Sequence, residues 1–366
     1  MLLRKNIFDI ILFFLFAFSA FFISNISKLS PIYFSIIFVI FFTIFSSNKL
    51  VIKKTEHKNQ IFTIITAILA VVLMIQMFVF NKLFFDYLLY IISFLYLPVS
   101  LFFFEKTDSR KVKKLIKSYY FLSSLILLLD FFNRIRFRDT YYTGLQYFYN
   151  FKKNGIMFQD SNFSAFLAMI NFCFALYLKD KKTFIFSKVK LFILFVLVFV
   201  NLSRSAILAS LVMIIFSWYK NKPRKIQIFL MFFFITLIPF VLLFLFELFI
   251  SDDSFGTKID IFTKTTTYLE KTDFIKILFG NGIFTSPEYL GLSGHNYISQ
   301  VIIEFGLIIF CLQIFIFFFL IFYSKGKSLY VILPYLIAGL SMAPIVIPYF
   351  YSINALIILM EENKIK

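Results

Sequence analysis

Only two histidines occur in the 366-residue chain, and one of them, His295, stands in Ser293-Gly294-His295-Asn296-Tyr297-Ile298-Ser299-Gln300, between a polar loop and a long apolar run. An imidazole where water, lipid headgroup and protein meet can be tuned to take a proton near neutral pH, so His295 is a candidate general base. It also suits a plain interfacial hydrogen-bonding role. The other histidine, His57, lies in a Lys-rich segment and reads as a solvated residue. Beyond His295, the residues Asn296, Gln300 and Glu304 recur at i, i+4 and i+8 and share one helix face, while His295 and Ser299 share a neighbouring one. A polar stripe in an apolar helix faces protein or water. Glu304 therefore reads first as a partner for a neighbouring helix and second as a catalytic group.

Arg204 sits in Asn201-Leu202-Ser203-Arg204-Ser205-Ala206, in the middle of an apolar run from Leu191 to Tyr219. A guanidinium there suits a diphosphate, because its planar fork makes paired contacts to phosphate oxygens. The alternative is an anchor that reaches back to headgroups from a shallow turn. A second basic group, Arg134, Arg136, Arg138, Lys152 and Lys153, is interleaved with tyrosines and leads into Gly155-Ile156-Met157-Phe158-Gln159-Asp160-Ser161-Asn162. Basic side chains with aromatic neighbours could bind phosphate and stack on sugar rings, or form an ordinary interfacial belt. A third group lies between Lys258 and Phe279, where Ile259, Phe262, Leu269, Ile277 and Leu278 alternate with Lys, Thr and Asp as in a helix on a membrane surface. That pattern breaks at Gly280-Asn281-Gly282. No phosphate-binding glycine loop, Asp-x-Asp metal signature or Ser-His-Asp spacing occurs, and Cys173 and Cys311 both fall in apolar runs as packing residues.

The elements that must carry these groups are set by composition. Hydrophobic residues make up 61% of the chain, 59 residues are Phe, and only 15% are charged. Soluble domains average about 45–50% apolar and about 25% charged residues, so the chain is an all-α integral membrane protein. The net charge of +18 comes from short basic clusters between apolar runs, which points to membrane orientation and away from nucleic acid. Apolar runs at 7–24, 30–47, 61–80, 84–104, 118–132, 158–178, 228–250, 296–323 and 329–347 approach spanning length. Residues 191–219 are too many for one span and too few for two, so they read as two short re-entrant helices meeting at Ser203-Arg204-Ser205. With a short last helix at 348–360, the expectation is about twelve transmembrane helices in a single polytopic domain, 1–366, with both termini cytoplasmic. The segments then assigned to the cytoplasm hold 25 of the 37 basic residues, as the positive-inside rule asks. Two outer segments are long, 133–157 and 251–294, and any chemistry is expected at that face. No internal repeat or pair of broken helices marks an inverted-repeat transporter.

The order of these motifs, Gly155 to Asn162 entering a helix, Ser203-Arg204-Ser205-Ala206 at a turn, and Gly280-x-Gly282 followed by His295-Asn296-Tyr297 and Glu304-x-Gly306, resembles the O-antigen ligase and polymerase superfamily. That family includes Wzy-type polysaccharide polymerases and WaaL-type ligases. The motif resemblance covers residues 155–310. It implies a glycosyltransferase of the GT-C type, without metal or cofactor, at the outer face of the bacterial cytoplasmic membrane. The implied donor, and for a polymerase also the acceptor, is an undecaprenyl-diphosphate-linked oligosaccharide, with a chain-length regulator protein as a partner and O-antigen or capsular polysaccharide as the product. By the resemblance Arg204 would hold the donor diphosphate and His295 would activate the acceptor hydroxyl. Arg134, Arg136, Arg138, Asp160, Asn162, Lys258, Asn296 and Glu304 would contact substrate. The family's second arginine, early in the long outer loop, is replaced here by Lys258, which binds phosphate only as a point charge. The rival of the same class is a ligase that moves finished glycan to a lipid core. The rival of a different class is a lipid-linked oligosaccharide flippase, which should line a path with polar residues where this chain places Phe, Ile and Leu.

Overall fold

The computed structural model describes residues 9–26, 30–33, 35, 37, 57–80, 84–105, 107–137, 150–182, 187–232, 236, 253–291 and 296–362. The spans expected at 30–47 and 228–250 fall mostly outside these residues, and His295 and Arg138 fall wholly outside them. Among the described residues the protein is all-helical, 81% helix with no strands. After a π-helical turn at Phe13–Ala17 come α1 (His57–Val79), α2 (Phe84–Glu105), α3 (Ser109–Arg136), α4 (Ser161–Asp180), α5 (Lys188–Phe199) and α6 (Arg204–Lys220). Then follow α7 (Asp253–Lys271), α8 (Phe274–Phe279), α9 (Ser286–Leu290), α10 (Tyr297–Tyr323), α11 (Leu329–Gly339) and α12 (Pro348–Glu361). Among the described residues five helices, α1 to α4 and α10, are long and apolar enough to cross a membrane.

Two helices form the centre. Every residue of α4 from Ser164 to Leu178 is buried, as is every residue of α12 from Pro348 to Met360. The outer helices are apolar on both sides for two reasons. On α1, Phe62, Thr66, Leu69, Leu73 and Gln76 face the protein at heptad spacing, while Ile64, Ile68, Val71, Ile75 and Phe78 face outward. In water that outward stripe would be a liability. In a bilayer it is the lipid contact.

Hydrogen bonds at the two ends of α4 define the path of the broken run 191–219. At its N-terminus Ser161 donates to the Asn201 carbonyl at 2.8 Å. At its C-terminus Asp180 accepts from Ser217 at 2.7 Å and from Asn221 at 3.3 Å. Helix α5 therefore runs up α4 and α6 runs back down, with the turn at Val200 to Ser203 between them and Leu202 in the left-handed region. The two short helices expected around Arg204 are present, and at 12 and 17 residues, about 18 and 26 Å, both are shorter than the 20-residue α4 they pack against.

The basic segments gather at one end. Lys111 pairs with Asp9, Lys58 with Glu362, and Lys181 with Glu361. Asn59 donates to Glu105 at 3.0 Å, Lys325 donates to the Glu361 carbonyl at 3.2 Å, and the Tyr330 hydroxyl bonds Asp180. These contacts join the α2–α3, α4–α5 and α10–α11 connections, the start of α1 and the C-terminus. Arg204, Lys152 and the Gly155 loop lie at the opposite end.

Two expected spans differ from regular helices. Run 329–347 is helical only as far as Gly339; residues 342–347 have no regular secondary structure and are mostly buried before α12 returns to the basic end. Pro344 and Pro348 account for this, since neither offers an N–H and each disfavours helical backbone at its predecessor. Run 296–323 breaks at Gly306, whose φ of 80° and ψ of 172° are not helical. The Tyr297 hydroxyl bonds Gln313 across that break.

Candidate functional site

A buried polar network organises the end that carries Arg204. Asp130 and Arg134 lie one turn apart on α3, both fully buried, with the guanidinium 2.5 Å from the carboxylate. Asp130 Oδ1 accepts from the backbone N–H groups of Ile156 at 2.6 Å and Met157 at 2.8 Å, and Oδ2 accepts from Ser164 Oγ at 3.0 Å. Arg134 donates to Asn201 Oδ1 at 3.2 Å and to Ser164 Oγ at 3.0 Å. One ion pair thus fastens three segments: the Gly155 loop, the start of α4 and the turn before Arg204. Gly155 is required by space, because a Cβ there would lie 2.7 Å from both Arg134 and Asp130 and 2.8 Å from the Phe158 carbonyl.

The candidate residues divide around this network. Arg134, expected at the substrate, is instead enclosed among Asp130, Ser164 and Asn201. Arg136 is exposed at the end of α3, its guanidinium 5.2 Å from the centre of the Phe137 ring. Asp160 is the N-cap of α4, accepting from the Asn162 N–H at 2.9 Å and the Asn162 amide at 3.0 Å. Arg204 is the exposed first residue of α6, and its N-cap Ser203 makes no side-chain capping bond. Lys152 lies on the short turn before Gly155. Burial pushes its ammonium below the ordinary lysine value, Asp160 opposes this, and Arg204 and Arg134 press it further down. The loop and the α5–α6 turn therefore bring Lys152 and Arg204 within electrostatic reach of each other. Arg134 is neutralised by Asp130, and Asp160 partly offsets Lys152. That cluster has the character of an anion site.

The glycine motifs meet at a second place on the same end. Gly280 ends α8 with φ of 74°, and a Cβ on it would collide with the Glu304 carbonyl and sit 2.7 Å from the Gly306 nitrogen. The break at Gly306 frees the Ile303 and Glu304 carbonyls, which accept from the N–H groups of Asn281 and Gly282, each at 2.9 Å. Gln76 of α1 closes the junction by donating to the Phe305 carbonyl at 2.9 Å and to that of Phe279. Glu304 is buried and accepts from Ser286 Oγ at 2.5 Å and from Gln300 at 3.2 Å. It partners a neighbouring helix, and the shared face of Gln300 and Glu304 is as the spacing requires. Asn296 caps α10 by accepting from the Ser299 N–H at 3.1 Å. Lys258 is half-buried on α7, on the stripe with Ile261, Thr265 and Tyr268. That stripe packs against Leu290, Ile302 and Ile303, so α7 rests on protein along this face.

The structure thus brings Arg204 and Asp160 together with Lys152, and ties Asn296 and Glu304 to the α10 limb that follows His295. Asp130, Asn201, Ser164 and Gln76 were not among the expected site residues. Asp130 carried a signal, a carboxylate inside the apolar run 118–132 four residues before an arginine. No protein-family model and no curated protein sequence matches the chain.

Proposed function

We propose that the protein is a membrane glycosyltransferase that polymerises undecaprenyl-diphosphate-linked oligosaccharide repeat units, with the Arg204 end at the outer face of the bacterial cytoplasmic membrane. The observation that carries this reading is the meeting of Lys152 and Arg204, on separate elements, beside the uncapped start of α6. A diphosphate is already a good leaving group, so a transferase must chiefly stabilise the charge that develops as the anomeric C–O bond breaks. Fixed cations do this, and loss of one such donor costs about 10²–10³ in rate. A base for the incoming hydroxyl adds about 10²–10⁴, and His295 is the residue proposed for it. The partly buried Lys152 also fits: a like-charged cluster kept at a cost to itself is relieved when an anion arrives.

The test is reconstitution of the purified protein in vesicles with a lipid-diphosphate-linked repeat unit and electrophoresis of the products. Longer lipid-linked chains, lost in Arg204→Ala and reduced to single units in His295→Asn, support a polymerase. Transfer only to an added lipid core indicates the ligase, and translocation without new glycosidic bonds indicates the flippase.

A further inference from the structure

Beneath the loop that presents Asp160 lies a cavity of about 160 Å³. Its walls are the rings of Tyr90 on α2, Phe158 and Phe163 on either side of Asp160, and Tyr349 on α12, with the non-helical segment from Ala343 to Ile347. The Phe158 and Phe163 rings are 5.6 Å apart, and Phe22 backs the cavity against Phe158 at 5.1 Å and Tyr349 at 6.0 Å. Two features give the cavity polar groups in an otherwise apolar lining. Tyr90 and Tyr349 are only 8% and 2% exposed, and among the described residues neither hydroxyl has a hydrogen-bond partner. The non-helical segment is held by two bonds, from the Ile347 N–H to Ser93 at 2.9 Å and from the Tyr335 hydroxyl to the Pro344 carbonyl at 3.1 Å. The N–H groups of Ala343, Ile345 and Val346 have no partner among the described residues. Non-helical backbone at membrane depth is tolerated where it is buried in protein or lines a water-filled cavity, and here it is mostly buried and lines this cavity.

We propose that this cavity is a subsite for one pyranose ring of the lipid-linked glycan. A sugar ring offers C–H faces that suit the negative faces of aromatic rings, and hydroxyls at its rim that suit phenols and backbone N–H groups. An isoprenoid chain would leave both phenols and the N–H groups unpaired. A phosphate would find no cation among the described residues of the lining. Phe158 and Phe163 flank Asp160, which lies within electrostatic reach of Lys152, so the cavity is at the same end of the molecule as the Lys152 and Arg204 cluster, the end where a sugar attached to a diphosphate bound there would lie. The inference rests on the glycan reading and assigns it a place.

The test uses full-length protein in a detergent without a sugar headgroup, with a panel of methyl pyranosides and N-acetylhexosamines as probes and cyclohexylmethanol as the apolar ring. Saturation-transfer NMR reads which ring contacts the protein. At least one pyranoside should show transfer that Ala343→Phe abolishes by filling the cavity. Tyr90→Phe with Tyr349→Phe, which removes only the hydroxyls, should weaken it at least threefold, whereas Arg204→Ala should leave it unchanged. Transfer from no pyranoside, transfer insensitive to Ala343→Phe, or equal occupancy by cyclohexylmethanol overturns the subsite. If chain lengthening is still lost in Arg204→Ala, the transferase reading survives that result. If pyranoside binding holds while lengthening is absent from the wild type, the transferase reading fails and the subsite stands.

Discussion

Replacing Asp130 in two ways separates its charge from its hydrogen bonds. Asp130→Asn keeps an oxygen that can accept from the Ile156 and Met157 N–H groups, now at 2.6 and 2.8 Å, but leaves the fully buried Arg134 without its counterion. Breaking a buried pair on one side costs about 3–5 kcal/mol. Asp130→Leu removes the charge and also leaves both N–H groups unpaired, at about 1–3 kcal/mol each, so it should cost a further 2–6 kcal/mol by the same principle. Arg134→Met should resemble Asp130→Asn, because the carboxylate keeps three donors. The double change Asp130→Asn with Arg134→Met should cost less than the sum of the single changes, since no unpaired charge remains. The assay is equilibrium unfolding in mixed micelles followed by the fluorescence of Trp218, the only tryptophan. Equal costs for Asp130→Asn and Asp130→Leu would refute the backbone bonds, and costs within about 0.5 kcal/mol, as for a surface change, would refute the network.

Gly306→Ala and Gly280→Ala should each cost more than about 3 kcal/mol, from backbone strain of about 1–3 kcal/mol plus collision. Gly326→Ala has a similar φ of 79° but open space around it, and should cost only the strain; equal losses at all three in the same unfolding assay would show that the motifs do not dock. Lys152, held below its ordinary pKa, binds fewer protons folded than unfolded, so stability should rise with pH in the interval just below about 10.4. Lys152→Met should be more stable than wild type at neutral pH and flat across that interval; a rise that persists in the variant would assign it to another group. A cysteine replacing Lys222 should resist an impermeant thiol reagent applied to intact cells, while one replacing Lys264 reacts. Labelling at 222 from outside would invert the proposed orientation.

Much of the architecture is legible because lipid imposes length. The spans at 61–80 and 84–104 became α1 and α2 nearly unchanged, and the charge at Arg204 in a run of awkward length foretold the α5–α6 hairpin. The glycines of 280–282 and 306 were legible as motifs, but not as two halves of one joint, because their contact is between backbones distant in sequence. Arg134 was grouped with Arg136 by proximity, yet positions two apart on a helix point about 200° apart. One is locked to Asp130 and the other stacks outward on Phe137. The non-helical segment at 342–347 reads as part of a span because its side chains are apolar. The spacing of Pro344 and Pro348 was the signal that outweighs that composition.

Binding of a polyprenyl diphosphate bearing no sugar isolates the central claim from acceptor chemistry. Measured by ³¹P NMR on the purified protein, the diphosphate resonances should shift and broaden with wild type. Arg204→Ala should weaken the affinity at least tenfold, and Arg204→Lys should fall between the two because it keeps the charge without the fork. An affinity unchanged in Arg204→Ala would contradict the assignment of this end of the molecule to a diphosphate.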